Sequence, residues 1–278
     1  MSTKKLSPYL CVFAFLFLLA KNAPAENDAV FRLHFLDVGY GDSILIESAS
    51  FVVLIDAGEK KYASRLLDYL HSRGIDKLDA VIITHPHKNH FEGFLQLLEK
   101  IKIKSLFING EPRSEAGYSE LLSAFRQKNI PIKILKAGSQ IDTPVNDLTI
   151  KVLQPNDLSA DPNGNSLVTW LRFRETYFLL TADIGDKQEK WLIEKKPFIK
   201  KAHVVQIPHH GGSVSDEWTS FFEHPLFVIS TGANPWGIPD EEALRKLNGP
   251  VWRTDLHGTI VVESDGRKLK VLPSKHKK

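Results

Sequence analysis

The chain has 278 residues, 42% of them hydrophobic and 25% charged, and its 36 basic and 33 acidic side chains give a formal net charge of +3. Three lysines within the first 25 residues supply this excess, so the rest is about neutral and has no general electrostatic attraction to nucleic acid or anionic lipid. The single cysteine, Cys11, lies in the same N-terminal segment, which excludes disulfides and thiolate metal ligands from the remainder.

The N-terminal segment predicts a secretory signal peptide over residues 1–25. Lys4 and Lys5 precede an apolar run, and Ala23 and Ala25 form a small-residue cleavage site. The apolar run covers residues 10–20, which is shorter than the roughly 20 residues that a membrane-spanning helix needs. We therefore expect a cleaved, exported chain, periplasmic or extracellular, in which residues 26–278 form a single domain with no membrane attachment after cleavage. An uncleaved membrane anchor is the alternative.

Strands and helices are predicted to alternate along this domain. The predicted strands are Phe31–Val38, Ser43–Glu47, Phe51–Asp56, Asp79–Thr84, Lys104–Ile108, Ile132–Lys136, Leu148–Leu153, Leu167–Phe173, Tyr177–Thr181, Val204–Ile207, Leu226–Ser230 and Thr259–Glu263. The predicted helices are Lys60–Arg73, Phe91–Lys100, Ser119–Lys128, Asp186–Glu194, Asp216–Phe222 and Glu241–Leu247. The pattern indicates one mixed α/β domain of two sheets covered by helices.

A histidine-rich segment follows the predicted strand Asp79–Thr84. His85, His87 and His90 fall within six residues, although the whole chain contains only 11 histidines. Imidazoles so close together at a strand end can reach one ion, and Pro86 stiffens the turn between the first two. A polar loop without a metal is the alternative, but the clustering favours a metal site.

Two strand ends in the second half carry further ligand-type side chains. Asp183 follows one predicted strand, and His209 and His210 follow another. Alone, these would be a capping residue and a polar turn, but one metal cluster explains all three strand ends. Neighbouring side chains on extended backbone point apart, so we expect one histidine of the pair to be a ligand and the other to donate a proton or bind an oxyanion. The sequence leaves open which is which.

A set of ordered motifs carries a resemblance to a known family. The motifs are Phe35–Asp42, Leu54–Gly58, Thr84–His90, Asn165–Val168, Leu180–Ile184, Pro208–Gly211 and Thr254–Thr259. Through them the chain resembles metallo-β-lactamase-fold hydrolases, and it is most similar to the soluble hydrolase domain of ComEC-type DNA-uptake proteins and their stand-alone relatives. Motifs of this kind are specific for the fold but much less so for the substrate.

The resemblance implies an αββα sandwich with one or two divalent ions at its rim, zinc being the expected metal and manganese the alternative. The implied metal ligands are His85, His87, Asn89, His90, Asp183 and His210. Asp56 would orient a histidine ligand, and His209 and His210 are the candidate catalytic residues. Asp37 and Asp42 match motif positions to which only turn-stabilising hydrogen bonds can be assigned.

Two residues depart from the family pattern, which has Asp at position 89 and Gly at position 182. Asn89 can offer a carbonyl oxygen to a metal, but it carries no charge and cannot act as a base. Ala182 adds only a methyl group next to the expected ligand. We therefore expect one ion to bind firmly and a second to bind weakly or not at all.

The implied activity is that of an exported metallohydrolase in which a metal-bound hydroxide attacks a phosphoryl or acyl centre. A phosphodiester or other small phosphate ester is preferred to a β-lactam, and nucleic acid is a candidate substrate that the net charge does not support. The alternative is a binding or scaffold protein that kept the fold while Asn89 weakened its catalysis.

Overall fold

The computed structural model describes residues 30–112, 115–212 and 214–275. The predicted signal peptide, residues 1–25, lies outside the described residues. Over those described ranges, no helix has both the length and the apolar character needed to cross a membrane.

Two β-sheets form the centre of the molecule. The strands, in chain order, are β1 (Phe31–Phe35), β2 (Ile44–Glu47), β3 (Val52–Ile55), β4 (Lys77–Leu78), β5 (Ala80–Ile83), β6 (Lys102–Ile103), β7 (Leu106–Ile108), β8 (Ile132–Ile134), β9 (Gln140–Ile141), β10 (Leu148–Gln154), β11 (Val168–Phe173), β12 (Thr176–Leu180), β13 (Val204–Gln206), β14 (Leu226–Ile229), β15 (Val251–Arg253), β16 (Ile260–Ser264) and β17 (Leu269–Pro273). The first sheet has the order β17-β16-β1-β2-β3-β5-β7-β8, the second has the order β15-β14-β13-β12-β11-β10-β9, and β4 pairs with β6. Parallel pairing joins β3 to β5 in one sheet and β12 to β13 in the other, so the carboxyl ends of each pair share an edge.

Helices cover the outer face of each sheet. They are α1 (Ala63–Ser72), α2 (Lys88–Phe91), α3 (Phe94–Lys100), α4 (Tyr118–Gln127), α5 (Asp186–Lys195), α6 (Asp216–Phe221), α7 (Glu241–Lys246) and α8 (Thr254–His257), with short 3-10 turns at Lys60–Tyr62, Asn163–Asn165, Pro197–Lys201 and Pro208–Gly211. Buried side chains of α1, α3 and α4 pack on the first sheet, and those of α5, α6 and α7 pack on the second. The αββα sandwich implied by the sequence is therefore confirmed.

The apolar pattern of the strands explains these layers. On β1, Phe31 and Phe35 face the space between the sheets, where the Phe31 ring lies 5.1 Å from that of Phe178 on β12. On β5, Ile82 faces the same space while Val81 packs toward the helices. Since a strand presents alternate side chains to opposite faces, a continuously apolar β5 is buried on both.

The structure divides one predicted helix. The segment predicted as the helix Phe91–Lys100 contains only the last residue of α2 and all of α3, and His90 lies inside the short α2 rather than in a loop. Gly93 lies between the two helices, where a Cβ atom would come within 2.1 Å of the Ala57 carbonyl oxygen. Gly93 N donates to Gly58 O at 3.0 Å instead of to a carbonyl of α2, and Ala57 N donates to His90 O at 2.7 Å, so the backbone of α2 lies against the loop that follows β3.

Some strands were missed by the sequence prediction. The last, β17, pairs with β16 at the edge of the first sheet, and only Leu269 and Val271 of this strand pack toward the core. With lysines before and between these residues, the apolar signal is too short to distinguish the strand from a polar tail.

A buried carboxylate on α5 makes stability depend on pH. Glu189 is fully buried and accepts hydrogen bonds from the backbone N and Oγ of Ser215, the residue that caps α6. Burial raises the pKa of Glu189 from 4.5 to about 7, although the hydrogen bonds from Ser215 oppose the shift. Between about pH 4.5 and 7, the folded state therefore holds a proton on Glu189 that the unfolded state has released. The stability that depends on this proton is full below about pH 4.5 and is lost as the pH rises through about 7.

We expect Glu189→Gln to remove this dependence. The variant should match the parent in free energy of unfolding at pH 4.5 and exceed it by up to ~3 kcal/mol at pH 8, since each pKa unit is worth about 1.4 kcal/mol. Urea unfolding at both pH values measures the difference. Glu194→Gln, an exposed change on the same helix, is the control, and a parent-to-variant difference that stays constant with pH would contradict the assignment.

Candidate metal centre

Residues from four strand ends meet at one edge of the sandwich. Asp56 follows β3 and His85 follows β5, while Asp183 follows β12 and His210 follows β13. Three overlapping groups could hold an ion, with one ligand atom from each member within 4.8 Å of the others: His85, His87 and Asp183; His90, Asp183 and His210; and Asp42, Asp56 and His90. The structure thus brings the predicted histidine and aspartate ligands together, and their individual roles stay predictions.

The first group contains the two histidines that follow β5. His85 Nε2 lies 3.0 Å from His87 Nδ1 and 3.7 Å from Asp183 Oδ2. Two nitrogen ligands of one tetrahedral zinc ion lie roughly 3.3 Å apart, so this convergence suits a shared ion. His85 is fully buried and His87 is half-buried, which leaves one side of the group open.

Asp183 is common to the first two groups and is almost completely buried. Its Oδ2 lies 3.2 Å from His90 Nε2, whereas Oδ1 lacks a hydrogen-bond partner within the described residues. The nearby His210 Nε2 is 3.5 Å from Oδ1, too far for a strong bond. A buried oxygen left in this way is costly, and a cation between the imidazoles would satisfy it. The donor set of imidazole and carboxylate fits a divalent ion such as zinc or manganese.

The charges around Asp183 keep it ionised. Burial opposes its charged form, but the charges of His210 and His90 outweigh burial and hold the pKa of Asp183 well below its usual range. Burial and the neighbouring charge of His90 push the pKa of His85 well below its ordinary value. Burial lowers the pKa of His90 and of His210, but the charge of Asp183 outweighs burial and raises both. Metal binding requires an ionised carboxylate and neutral imidazoles, so a bound ion would displace the protons of His90 and His210.

Asp56 and Thr84 orient His90 and His85 by contacting the Nδ1 atom of each ring. His90 Nδ1 donates to Asp56 Oδ2 at 2.7 Å, and the same carboxylate accepts from the Thr84 backbone N at 2.8 Å and from Thr84 Oγ1 at 2.7 Å. Thr84 Oγ1 also lies 3.1 Å from His85 Nδ1. These contacts turn His90 Nε2 and His85 Nε2 toward Asp183, the arrangement that carboxylates give to metal-binding histidines.

The backbone at His209 and His210 is not extended, contrary to the sequence expectation. Both residues have left-handed conformations, with φ values of 50° and 56°, inside the 3-10 turn Pro208–Gly211. His210 is buried, and its Nδ1 donates to the Ser230 carbonyl at 2.9 Å, which leaves Nε2 facing the cluster. His209 is 38% exposed at its side chain, with Nε2 4.0 Å from Asp183 Oδ2. The two imidazoles therefore occupy different positions, because the tight turn separates them.

Asn89 lies beside the second group. Its Nδ2 is 2.9 Å from His210 Nε2, so an amide hydrogen points at the nitrogen atom that would bind an ion. Its backbone oxygen accepts from Asp42 N at 3.3 Å. The contact links Asn89 to the ring that a second ion would need.

Sequence reasoning assigned no role to two uncharged residues at the centre. Ser166 Oγ lies 3.3 Å from His85 Nδ1 and accepts from Asp183 N at 3.3 Å. Gln206 Oε1 accepts from the backbone of Thr181 and Ala182, while its Nε2 donates to Asp42 Oδ2 at 2.7 Å. Ser166 belongs to a motif noted in the sequence, whereas no sequence signal distinguishes Gln206.

The remaining motif residues have distinct environments. Asp42 is buried, and its Oδ1 lies 3.7 Å from His210 Nδ1. Asp37 forms ion pairs of 3.1 Å with Arg65 and 3.0 Å with Lys275. Ala182 has a φ of 48°, a left-handed conformation that glycine adopts without cost. Alanine in place of the family's glycine therefore strains the backbone at this position as well as adding a methyl group.

Comparison with known proteins gives sequence relatives over most of the chain. A sequence model described as Metallo-beta-lactamase superfamily matches residues 36–215. The chain is 28% identical to ComE operon protein 3 of Bacillus subtilis (strain 168), in an alignment covering 90% of this chain and 34% of that protein. It is 25% identical to Competence protein ComA of Neisseria gonorrhoeae, in an alignment covering 86% of this chain and 33% of that protein. The chain thus spans about a third of the length of these curated relatives.

The fold also matches solved structures. The metallo-beta-lactamase fold protein YhfI from Bacillus subtilis is similar with a TM-score of 0.55 and 15% sequence identity, covering 85% of this chain and all of that protein. An identity this low supports the fold alone.

Proposed function

Because the chain belongs to the metallo-β-lactamase superfamily, we propose that it is a metal-dependent hydrolase of a phosphodiester or a related ester. The buried Asp183 carboxylate carries this proposal, since it is shared by one histidine pair, His85 and His87, and another, His90 and His210. The preference for a phosphodiester rests on the resemblance of the ordered motifs to the hydrolase domains of DNA-uptake proteins. We further propose zinc as the ion, with manganese as the alternative, and an exported location.

The residues of this chain would have separate roles in such a reaction. His85, His87, Asp183, His90 and His210 would hold one or two ions. The chemistry that a divalent ion supplies at such a site is a lowered pKa of water and stabilisation of developing negative charge.

His209 is the candidate for proton transfer to the leaving group. It lies within 4.0 Å of Asp183 while more than a third of its side chain stays exposed, so a substrate entering from solvent can reach its imidazole. An imidazole can hold a proton near neutral pH and deliver it to an oxygen as a bond breaks.

A binding or scaffold role is the second candidate, and the Asn89 contact favours it. The Asn89 amide donates toward His210 Nε2, and no carboxylate stands at this position to attract a second cation. If both ions are needed for turnover, the chain would bind a ligand without hydrolysing it.

An activity panel with a matched histidine control tests the proposal. Bis(p-nitrophenyl) phosphate, single-stranded DNA and a chromogenic β-lactam are supplied with zinc or manganese, and parallel samples receive a chelator. We expect turnover of the phosphodiesters that the chelator abolishes and that His85→Ala reduces by roughly 100-fold or more. His71→Ala, an exposed change on α1, should keep full activity.

The outcomes separate the two candidate functions. Phosphodiester turnover that survives both the chelator and His85→Ala would contradict the hydrolase proposal. Firm metal binding without turnover of any substrate in the panel would favour the binding protein.

A further inference from the structure

An exposed tryptophan stands beside the candidate metal centre. Trp236 is 64% exposed, and its ring centroid lies 4.8 Å from that of Tyr40. The Tyr40 ring, itself almost completely buried, lies 4.5 Å from the imidazole of His210. A continuous series of rings therefore leads from the metal-binding cluster to the surface.

The loop that carries Trp236 is held by its own hydrogen bonds. Asn234 Oδ1 accepts from the backbone N of Trp236 and of Ile238, both at 3.1 Å. Asn234 Nδ2 donates to the carbonyl oxygens of Gly232 at 2.8 Å and Ile238 at 2.6 Å. An exposed indole on a braced loop loses little conformational freedom when a ligand stacks on it.

Both ends of this loop pack against the candidate site. A Cβ atom on Gly232 would lie 2.5 Å from the backbone of Gly39, the neighbour of Tyr40. A Cβ atom on Gly211, the neighbour of His210, would lie 2.7 Å from Pro239. The loop thus fits closely on the turns that present Tyr40 and His210, which fixes Trp236 relative to the cluster.

We propose that Trp236, backed by Tyr40, is a stacking subsite for a nucleobase of the substrate, next to the position where the phosphodiester would be hydrolysed. This inference rests on the proposed function and names the class of its substrate as a nucleotide diester. Indole faces bind planar rings by offset stacking, and stacking on an aromatic side chain accepts any base because every base has a π-face. Such a subsite requires no strongly basic surface, in agreement with the near-neutral charge of residues 26–278.

The kinetic test uses two substrates that differ only in their bases. One is the dinucleotide thymidylyl-thymidine, and the other is its analogue with hydrogen in place of both bases. We expect the parent protein to have a KM about tenfold lower for the dinucleotide than for the analogue, because stacking one base is worth roughly that factor. In Trp236→Ala the KM ratio should fall to near one with kcat changed less than about twofold, and Trp236→Phe should restore most of it.

Two controls accompany this measurement. Phe198→Ala removes another exposed aromatic ring, 44% exposed on the turn Pro197–Lys201, and should leave the KM ratio unchanged. Circular dichroism melting should show that Trp236→Ala remains folded, since the exposed indole contributes little to the core. A KM ratio that stays the same in Trp236→Ala would overturn the proposal.

A binding measurement decides the question even without turnover. Titration calorimetry with thymidine 5′-monophosphate should give about tenfold weaker binding to Trp236→Ala than to the parent, with Trp236→Phe close to the parent. If neither substrate is hydrolysed and the activity panel shows no phosphodiester turnover, the proposed function fails, yet this difference in affinity would still support the subsite. Equal affinity of the parent and Trp236→Ala, or no binding by the parent, would overturn it.

Discussion

Asp183→Asn is expected to abolish metal-dependent hydrolysis and to release most of the bound metal. The carboxylate lies within 3.2 Å of His90 and 3.5 Å of His210, and one of its oxygens has no hydrogen bond from the described residues. Asparagine keeps the shape of the side chain but removes the negative charge that offsets the charge of a cation. We expect turnover to fall by roughly 1,000-fold or more, because both candidate ion positions share this residue.

The measurement combines metal content with activity. Inductively coupled plasma analysis of the purified variant should find well under one equivalent of zinc or manganese after dialysis. Asp186→Asn, an exposed change at the start of α5, is a matched control that should keep both metal and activity. A variant at position 183 that retained a full equivalent of metal and parental turnover would rule out Asp183 as the shared ligand.

Most of the framework could be predicted from local patterns. The apolar run on β5 and the cluster from His85 to His90 are encoded by neighbouring residues, so spacing alone indicates a strand that ends in ligand-type side chains. Asp183 could be added because it also ends an apolar strand. In these cases, the sequence neighbours of a residue largely determine its environment.

Other parts of the centre depend on contacts between distant residues. The left-handed turn at His209 and His210 is held by tertiary contacts, among them His210 Nδ1 to Ser230 and His209 N to the Ala182 carbonyl at 3.0 Å. Gln206 joins the second sheet to Asp42, 164 positions away in the chain. No local periodicity encodes such contacts, and a neutral glutamine in a strand is not distinguished by charge or spacing.

Trp236 is another residue whose environment depends on contacts outside its local sequence. A tryptophan in a sequence is most often interpreted as a buried residue, since large aromatic side chains are highly buried on average. Its 64% exposure depends on the Asn234 hydrogen bonds and on the packing of Gly232 against Gly39. The position of Trp236 beside the metal-binding cluster therefore depends on tertiary contacts that no local sequence pattern encodes.

Asn89→Asp is expected to convert a weak second ion position into a firm one. In the parent, the Asn89 amide donates toward His210 Nε2 at 2.9 Å, so that nitrogen faces a hydrogen atom. An aspartate would present a carboxylate oxygen instead, and its negative charge, added to that of Asp183, would attract a second cation.

We expect the metal content to rise from about one to about two equivalents and turnover to rise roughly 10- to 100-fold, in the range by which changes close to a metal alter its affinity or activity. Thermal unfolding gives a readout that is independent of activity. Added zinc should raise the melting temperature more in Asn89→Asp than in the parent, because a ligand stabilises the folded state according to its affinity.

A second substitution at the same position separates charge from shape. Asn89→Ala removes the amide that faces His210 without adding a carboxylate, so metal content should stay near one equivalent and turnover should change by less than about threefold. If the parent already held two tightly bound equivalents, or if Asn89→Asp bound no more metal than Asn89→Ala, the amide would not be what limits the second ion. Loss of turnover in Asn89→Ala would instead mean that Asn89 itself takes part in hydrolysis. Its side-chain carbonyl oxygen would then be the metal ligand, since aspartate at this position could offer an equivalent oxygen but alanine could not.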